Sequence, residues 1–238
     1  METTHKISSL EYKVIKKDKK GISISIDEKG EIIVRAPMNM DYGSIERIIE
    51  NKIDWIYKSK NIIEDKIEYL KSMGILQGQN MLWLGKLLKV EKLPSNIKGC
   101  HVEILDDRIA VYGNEELLRD HEAVSRSIRK FYREKSKIIF NKRVGLYSKK
   151  INLYPNKINI RCQKTRWGSC SSNRNLSFNY KLLMAPIDVI DYIVVHELCH
   201  LAYMNHSKEY WSLVGSIIPQ YLERRNWLKN SGYLLRFP

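Results

Sequence analysis

Residues 196–206 read HELCHLAYMNH, and they follow the apolar run IDVIDYIVV at residues 187–195. The chain has six histidines, and three of them, His196, His200 and His206, lie within this short segment. The apolar run predicts a buried helix from about residue 187 to residue 204. Residues four apart share one face of a helix, so the imidazoles of His196 and His200 should lie one turn apart. Buried imidazoles need polar partners, and a metal ion can supply one.

The five residues from His196 to His200 fit the HExxH pattern. Two imidazoles in this arrangement can bind one Zn²⁺ at about 2.0–2.1 Å each. Glu197 follows the first histidine, so its carboxylate flanks the ion and can accept a proton from a zinc-bound water. The pattern is short, and two core histidines hydrogen-bonded to the backbone would give the same residues. The third histidine favours the metal site.

His206 is the predicted third ligand, because six residues beyond His200 the chain can leave the helix and fold back on the metal. The spacing matches the pattern HExxHxxGxxH, but Tyr203 stands at the glycine position. We therefore expect Asn205 to adopt the left-handed conformation that ends a helix. No methionine follows that could form a Met-turn, which argues against a metzincin.

Three other residues near the motif bear on the ligand set. Glu209, on the next helix, and Glu223, at the longer spacing of other zinc hydrolases, are the alternative third ligands. Cys199 lies inside the motif, but on a helix it points about 100° away from His200. We therefore interpret Cys199 as a buried apolar residue.

The composition describes a chain that can build a sizeable core. Of its 238 residues 43% are hydrophobic, which suits one large domain or two small ones. No apolar run approaches the roughly 18–20 residues of a membrane span, and METTHKISSLEYK at the N-terminus lacks the apolar region of a secretory signal. The four cysteines form no CxxC pair and are expected to be reduced. We therefore predict a cytoplasmic protein without a membrane segment.

The net charge is +14, and basic residues cluster at 13–20, 126–137 and 142–150. One interpretation is a lysine-rich composition that is solvated on all sides. The other is a surface that meets nucleic acid or an acidic partner. No nucleic-acid-binding motif accompanies the clusters, so charge alone does not decide between them.

Hydrophobic spacing divides the chain into elements, and we see no internal repeat. The first predicted elements are a hairpin over 22–37 with a turn at Glu28-Lys29-Gly30, a helix over 45–70 that Asp41 or Ser44 caps and Gly74 ends, and strands at 81–93, 100–107 and 108–113. The later ones are a helix over 114–149, strands at 157–162 and within 167–180, the HExxH helix, and a helix that begins near His206 and is interrupted by Pro219. The helix over 114–149 should bury a stripe of Leu117, Leu118, Val124, Ile128, Phe131, Ile138 and Ile139. A boundary near residue 114 separates a β-rich portion with one long helix, residues 1–113, from residues 114–238, which carry the chemistry.

HELCHLAYMNHSKEYW, preceded by TRWGSCSSNRNLSFNYKLLMAP at residues 165–186, resembles the YgjP-like metal-dependent hydrolases, relatives of the SprT-like zincins. The segments VRAP, KIDWIYK and LWLGK are also similar, so the resemblance covers most of the chain. It implies an α+β fold: a zincin-like metallopeptidase domain, with the active-site helix beside a small sheet, and an N-terminal β-rich portion. It also implies that His196, His200 and His206 are the zinc ligands and that Glu197 is the general base.

The segment before the helix gains a role from this resemblance, because zincin proteases bind an extended peptide along an edge strand. Leu176, Phe178 and Tyr180 alternate with polar residues after a turn at 171–175, and this strand could pair with a substrate. An ordinary half-buried hairpin would have the same pattern. Arg166 and Trp167 are expected to be structural, with Trp167 in the core and Gly168 allowing close packing.

The predicted function is a zinc metallopeptidase that acts on peptides or proteins, with Glu197 accepting and returning the proton. Tyr203, Tyr210 and Arg166 are candidate donors to the oxyanion. One alternative is a nucleic-acid-associated protease acting on DNA-bound proteins, as SprT-like relatives do. Another is a non-catalytic zinc-stabilised scaffold, although structural zinc has no use for Glu197.

Overall fold

The structure is a computed structural model that describes residues 2–7, 9–27, 29–163 and 165–237. It confirms the predicted α+β class, with small sheets and helices in the same chain. The contacts divide it into two compact units, residues 1–72 and 73–238. In the described part of the chain, no helix is both long and apolar enough to cross a membrane.

The first unit is a four-stranded sheet followed by two helices. Its elements are β1 (Glu2–Ile7), β2 (Leu10–Lys17), β3 (Ser23–Ile26), β4 (Ile32–Pro37), α1 (Tyr42–Glu50) and α2 (Ile53–Ser72). The strand order is β1-β2-β4-β3, with β2 and β4 parallel and the outer pairs antiparallel. Alternate residues of the two central strands, such as Val14 and Val34, are fully buried with Ile45 and Ile49 of α1.

The hairpin predicted over 22–37 is present as β3 and β4, with Gly30 in its turn at φ 84°. Of the predicted turn residues, Glu28 lies outside the described part of the chain. The single helix predicted over 45–70 is two helices, separated at residues 51 and 52. Asp41 caps the first of them by accepting a hydrogen bond from the backbone N–H of Ser44 at 2.8 Å.

The second unit begins with a sheet of the same topology. Its strands are β5 (Asn80–Trp83), β6 (Lys86–Pro94), β7 (His101–Leu105) and β8 (Arg108–Gly113). They follow the order β5-β6-β8-β7, again with a parallel central pair and antiparallel outer pairs. The sequence shows no repeat because alternation and turn positions can be kept while the individual residues change.

Two helices follow this sheet, α3 (Glu115–Arg119) and α4 (His121–Ile151), where the sequence predicted one. Asp120 separates them and caps α4. The predicted apolar stripe is wrong at Ile138, which is 63% exposed. The stripe is confirmed at Val124, Ile128 and Phe131, and beyond them α4 buries Tyr132, Ser136, Phe140, Val144 and Ser148. Their four-residue spacing turns by about 40° at each step, so the buried stripe winds around the helix.

The remaining elements surround the HExxH helix. They are β9 (Lys157–Arg161), β10 (Gly168–Cys170), β11 (Asn175–Asn179), a 3₁₀ turn (Tyr180–Met184), α5 (Ile187–Cys199), α6 (Lys208–Ile217), α7 (Tyr221–Ser231) and a last 3₁₀ turn (Gly232–Leu234). The three strands form a sheet in the order β10-β11-β9. Phe178 of β11 stacks on Phe140 of α4, with ring centroids 4.5 Å apart. Strand β10 of the same sheet contacts α5, so the small sheet lies beside the HExxH helix, as predicted.

The LWLGK segment, residues 82–86, meets the LLMAP segment, residues 182–186, in space. The β5–β6 turn places Leu84 and Gly85 at positive φ, and their backbone N–H groups donate to the carbonyls of Leu183 and Met184. A side chain at Gly85 would lie 2.9 Å from Pro186, the residue before α5. Glycine is therefore needed at this position for both the turn and the close approach.

This arrangement joins strands 80–113 to the active-site helix within one compact unit, whose boundary lies after residue 72. The division of function between residues 1–113 and 114–238 stays a prediction.

Candidate metal centre and active site

Helix α5 is held firmly inside the second unit. Every residue from Val189 to Cys199 except His196 is buried. Asp191, in the middle of the apolar run, accepts two hydrogen bonds from the guanidinium of Arg143 on α4. Because such a bidentate pair fixes direction as well as distance, it sets how α5 lies against α4.

His196, His200 and His206 converge at the end of α5. One ring nitrogen from each lies within 4.8 Å of the other two, and this is the group of potential metal ligands found in the described residues. The Nε2 atoms of His196 and His206 are 3.3 Å apart. The predicted ligands are therefore brought together, although His206 comes from the loop beyond the helix.

The cluster has the properties that a metal site needs. Burial, followed by the neighbouring His200 and His206, lowers the pKa of His196 to about 3, and burial also lowers the pKa of His200. Both rings are thus neutral near pH 7, as a metal ligand must be. Nδ1 of His200 donates to the carbonyl of Tyr203 at 2.9 Å, which leaves Nε2 of His200 as the free acceptor. Two nitrogens bound to one tetrahedral zinc ion lie about 3.3–3.4 Å apart, so the residues present fit such an ion.

Aromatic side chains of α6 hold the three rings. Tyr210 is fully buried, and its ring stacks on His200 with centroids 4.6 Å apart. Its hydroxyl donates to the backbone carbonyl of His196 at 3.0 Å, one of the last carbonyls of α5. Trp211 stacks on His206 at 5.5 Å. The first turn of α6 therefore positions both the helical histidines and the loop histidine.

The helix ends without the predicted left-handed residue. In the part of the chain that the structure describes, positive φ occurs at Arg174 and other turn positions, but not at Asn205. Instead the N–H groups of Leu201 and Ala202 donate to carbonyls three residues back, those of Leu198 and Cys199. Such 3₁₀ bonds tighten the last turn and satisfy carbonyls at the helix end, so no glycine is needed at position 203.

Glu197 lies on α5 beside the histidines and is 4% exposed. Burial raises the pKa of its carboxyl group to about 8, although the positive charge of Arg166 lowers it. Gly168 of β10 makes room for it, since a β-carbon at that position would lie 2.4 Å from Oε1 of Glu197. The predicted close packing at Gly168 is therefore against Glu197.

A cleft of about 360 Å³ opens beside this carboxylate. It is lined by residues 166–168, by the face of α5 that carries His196 and Glu197, and by one face of α7. Trp167, expected in the core, is only half-buried and forms part of this lining. The lining thus brings together a potential general base, Glu197, one of the three clustered histidines, His196, and the start of strand β10.

The edge strands of the small sheet are β10 and β9, so of the two interpretations of residues 176–180 the one that pairs them with a substrate is wrong. β11 lies between β10 and β9 and pairs with both, so its backbone is already used on each side. Leu176, Ser177, Phe178 and Asn179 are accordingly all buried. Alternation alone cannot distinguish a central strand from an edge strand.

The alternative ligands lie outside the cluster. Glu209 is exposed and lines a different groove, together with Tyr203. Glu223 is exposed and forms an ion pair with Arg224 at 3.0 Å. Neither belongs to the group of potential ligands among the described residues. Cys199 is fully buried, as predicted, and burial raises the pKa of its thiol to about 12.

Of the three predicted oxyanion donors, Arg166 alone lines the cleft beside Glu197. Tyr203 faces the other groove, and the hydroxyl of Tyr210 is bound to the His196 carbonyl. Tyr192 is a further candidate donor that the sequence reasoning missed. It lines the cleft, its ring lies 5.8 Å from that of His196, and burial raises the pKa of its phenol to about 12. Its position one helical turn before His196 is the signal that could have identified it.

Comparison with known proteins identifies the family. The profile of the YgjP-like metallopeptidase domain matches residues 20–231. The chain belongs to the YgjP-like family. It is therefore a metallopeptidase, and peptide-bond hydrolysis is its class of reaction.

Among solved structures, the YgjP-like chain is similar to the metallopeptidase zymogen abylysin of Pyrococcus abyssi. The identity is 18% and the TM-score 0.36, over 39% of this chain and 95% of that one. No curated protein matches the chain.

The sequence analysis did not predict the contacts that support the YgjP-like site. Arg143 and Asp191 are 48 residues apart, and Arg143 lies in a segment that its charge marks as surface. Asp191 inside an apolar run was the available signal, because a buried carboxylate needs a partner.

Proposed function

We propose that this metallopeptidase is zinc-dependent and that Glu197 is its general base. The observation that carries the proposal is the convergence of three histidine nitrogens within 4.8 Å, together with the buried carboxylate of Glu197, which follows His196 on α5. The donor set supports zinc, because three neutral imidazoles with an open fourth position are typical of catalytic zinc sites. When bound there, zinc acts as a Lewis acid on a carbonyl oxygen and makes water acidic enough to serve as the nucleophile.

Glu197 supplies the proton transfers. Its carboxylate lines the cleft next to His196, where it can take a proton from the attacking water and return it to the leaving amine. A base works best when its pKa lies near the working pH, and burial moves the pKa of Glu197 in that direction. Arg166 and the phenol of Tyr192 line the same cleft and can donate to the developing oxyanion.

The substrate is a peptide or protein, and β10 is the strand that can align it. β10 is an edge strand of its sheet and carries Gly168, which packs against Glu197. An extended peptide that pairs with this edge would run past the carboxylate, with its backbone rather than its side chains fixing the alignment.

The experiment that tests this proposal combines metal content with turnover. Purified protein should contain close to one zinc per chain by elemental analysis and should cleave fluorescein-labelled casein. A chelator should abolish cleavage, and added zinc should restore it. A protein that takes up no zinc on reconstitution, or that cleaves equally well without metal, would contradict the proposal.

A second candidate function is proteolysis of proteins bound to nucleic acid. The observation that favours it is the exposed face of α4, which carries Arg126, Lys130, Arg133, Lys135, Lys137, Lys142, Lys149 and Lys150. Phosphate contacts of this kind weaken steeply with salt. Fluorescence anisotropy with labelled duplex DNA between about 50 and 200 mM salt should then show salt-dependent binding, which Lys130→Gln with Lys137→Gln reduces. Absence of binding at the lowest salt would remove this candidate.

A further inference from the structure

The rim of the active-site cleft is basic. Arg166 precedes the edge strand β10, and Arg225 and Lys229 lie on α7. Arg225 and Lys229 are four positions apart, so both project from one face of that helix. All three side chains are exposed and line the cleft that contains His196 and Glu197. A substrate in this cleft therefore meets positive charge from two different elements.

These cations have no close acidic partner in the described part of the chain. Among the described residues that line the cleft, Glu197 is the only carboxylate, and it is buried. Within the residues that the structure describes, Arg166, Arg225 and Lys229 form no ion pair within 4.0 Å. The neighbouring Arg224 is different, since it pairs with Asp188 at 2.8 Å and with Glu223 at 3.0 Å.

Arg225 is also held in place. Its guanidinium lies 5.2 Å from the centre of the Trp211 ring, and that ring stacks on the metal-site residue His206. A cation over an indole face is attracted by the ring and keeps its N–H groups available for other partners. Because the guanidinium fork matches two carboxylate oxygens, Arg225 is suited to bind a substrate carboxylate beside the histidine cluster.

We propose that the cleft selects substrates that carry a carboxylate close to the scissile bond, with Arg225 as the main recognition residue and Arg166 and Lys229 adding attraction. This inference rests on the proposed peptidase function and names its substrate class. The carboxylate can come from two sources, an aspartate or glutamate side chain within the peptide or a free C-terminus. Complementary charge at a cleft raises the local substrate concentration and disfavours basic peptides.

The test uses a set of quenched fluorescent peptides with one sequence. One member has glutamine near the expected cleavage position, one has glutamate there, and each exists with a free and an amidated C-terminus. We expect kcat/KM at low ionic strength to be about five- to tenfold higher for the glutamate peptide or for the free C-terminus, the size expected for one charge-assisted contact. If glutamate in place of glutamine raises kcat/KM, the recognised carboxylate is a side chain within the peptide. If a free C-terminus in place of the amide raises it, the recognised carboxylate is the C-terminus.

Arg225→Gln should remove most of that preference. Arg126→Gln is the matched control, because Arg126 is an exposed arginine of the same unit that does not line the cleft. Arg126→Gln lowers the net charge by the same amount as Arg225→Gln, but it should keep the full preference for carboxylate peptides. A preference that Arg225→Gln and Arg126→Gln reduce by the same factor would overturn the assignment to Arg225.

Binding of the same peptides, measured by fluorescence anisotropy, separates failure of this inference from failure of the proposed function. Cleavage of all peptides at equal rates and with equal affinity would leave the peptidase proposal standing and overturn the carboxylate preference. A second outcome is that the carboxylate peptides bind more tightly, that Arg225→Gln abolishes this difference in affinity, and that no peptide is cleaved. This outcome would support the carboxylate preference and contradict the peptidase proposal. Equal binding without cleavage would overturn both.

Discussion

His196 and Glu197 are neighbours on helix α5, but different parts of the chain support the histidine cluster and the Glu197 carboxylate. The histidine side is held by α6, where Tyr210 contacts His200 and the His196 carbonyl and Trp211 stacks on His206. The Glu197 side is enclosed by the edge strand β10, whose Gly168 leaves no room for a side chain. Metal binding and proton transfer should therefore respond to different substitutions.

The largest effect is expected on the histidine side. His206→Ala removes one of three converging nitrogens, so zinc affinity should fall by more than about 100-fold and turnover should be lost with it. Zinc binding measured by competition with a chromophoric chelator tests this. His101→Ala, which changes an exposed histidine on β7, is the control and should leave affinity unchanged. A His206→Ala protein with wild-type affinity would show that His206 is no ligand.

A smaller effect is expected on the Glu197 side. In Gly168→Ala the new methyl group would lie 2.4 Å from Oε1 of Glu197, so the carboxylate must shift. Misplacement of a catalytic group by about 1 Å can cost around 100-fold, and we expect kcat to fall by about 10- to 100-fold while zinc stays bound. Gly145→Ala is the control, since nothing lies within 4 Å of a β-carbon at that position. Normal kcat in Gly168→Ala would mean that the contact does not position Glu197.

Substitution of Asp191 tests the anchor that both sides share. Asp191→Asn leaves the guanidinium of Arg143 without its carboxylate partner, and loss of one member of such a pair should lower the free energy of unfolding by about 3 kcal/mol. Urea denaturation followed by circular dichroism measures the change. Asp188→Asn, near the start of the same helix, should cost less, because the Asp188 side chain is 48% exposed in its ion pair with Arg224. The prediction is wrong if both variants lose the same stability.

The smallest effect belongs to Tyr210. Tyr210→Phe keeps the ring that stacks on His200 but removes the hydroxyl that donates to the His196 carbonyl. Loss of one such hydrogen bond should cost about 1 kcal/mol of stability and should weaken zinc binding only slightly. Thermal unfolding with and without zinc measures both quantities, with the exposed Tyr203→Phe as control. A large loss of kcat in Tyr210→Phe at full zinc occupancy would instead indicate a direct role in the reaction.

The sequence predicted the parts of the site that depend on local spacing. The four-residue interval between His196 and His200, and the position of Glu197 between them, follow from helix geometry alone. His206 could be predicted because its distance along the chain suits a return to the helix end. The helix end itself was predicted wrongly at Asn205, because the choice between a left-handed residue and 3₁₀ bonds depends on the contacts of the following loop.

The contacts that support the site could not be predicted from local spacing. Glu197 and Gly168 are far apart in sequence, as are Arg143 and Asp191, and each pairing depends on how strands and helices pack. Periodicity placed Ile138 in the core, whereas the packed face of α4 follows Phe140 and Val144. The alternation of residues 176–180 also could not show that β11 is a central strand, because strand order is a property of the whole sheet.

The most direct test of the division between the two sides is to measure zinc content and peptide turnover in the same preparations of wild type, Glu197→Gln and Glu209→Gln. Glu209 is the control, an exposed glutamate outside the histidine cluster. The account predicts that Glu197→Gln binds zinc as wild type does but loses turnover by at least about 100-fold, as expected for removal of a general base. Glu209→Gln should keep both. Substantial turnover by zinc-loaded Glu197→Gln would contradict the account.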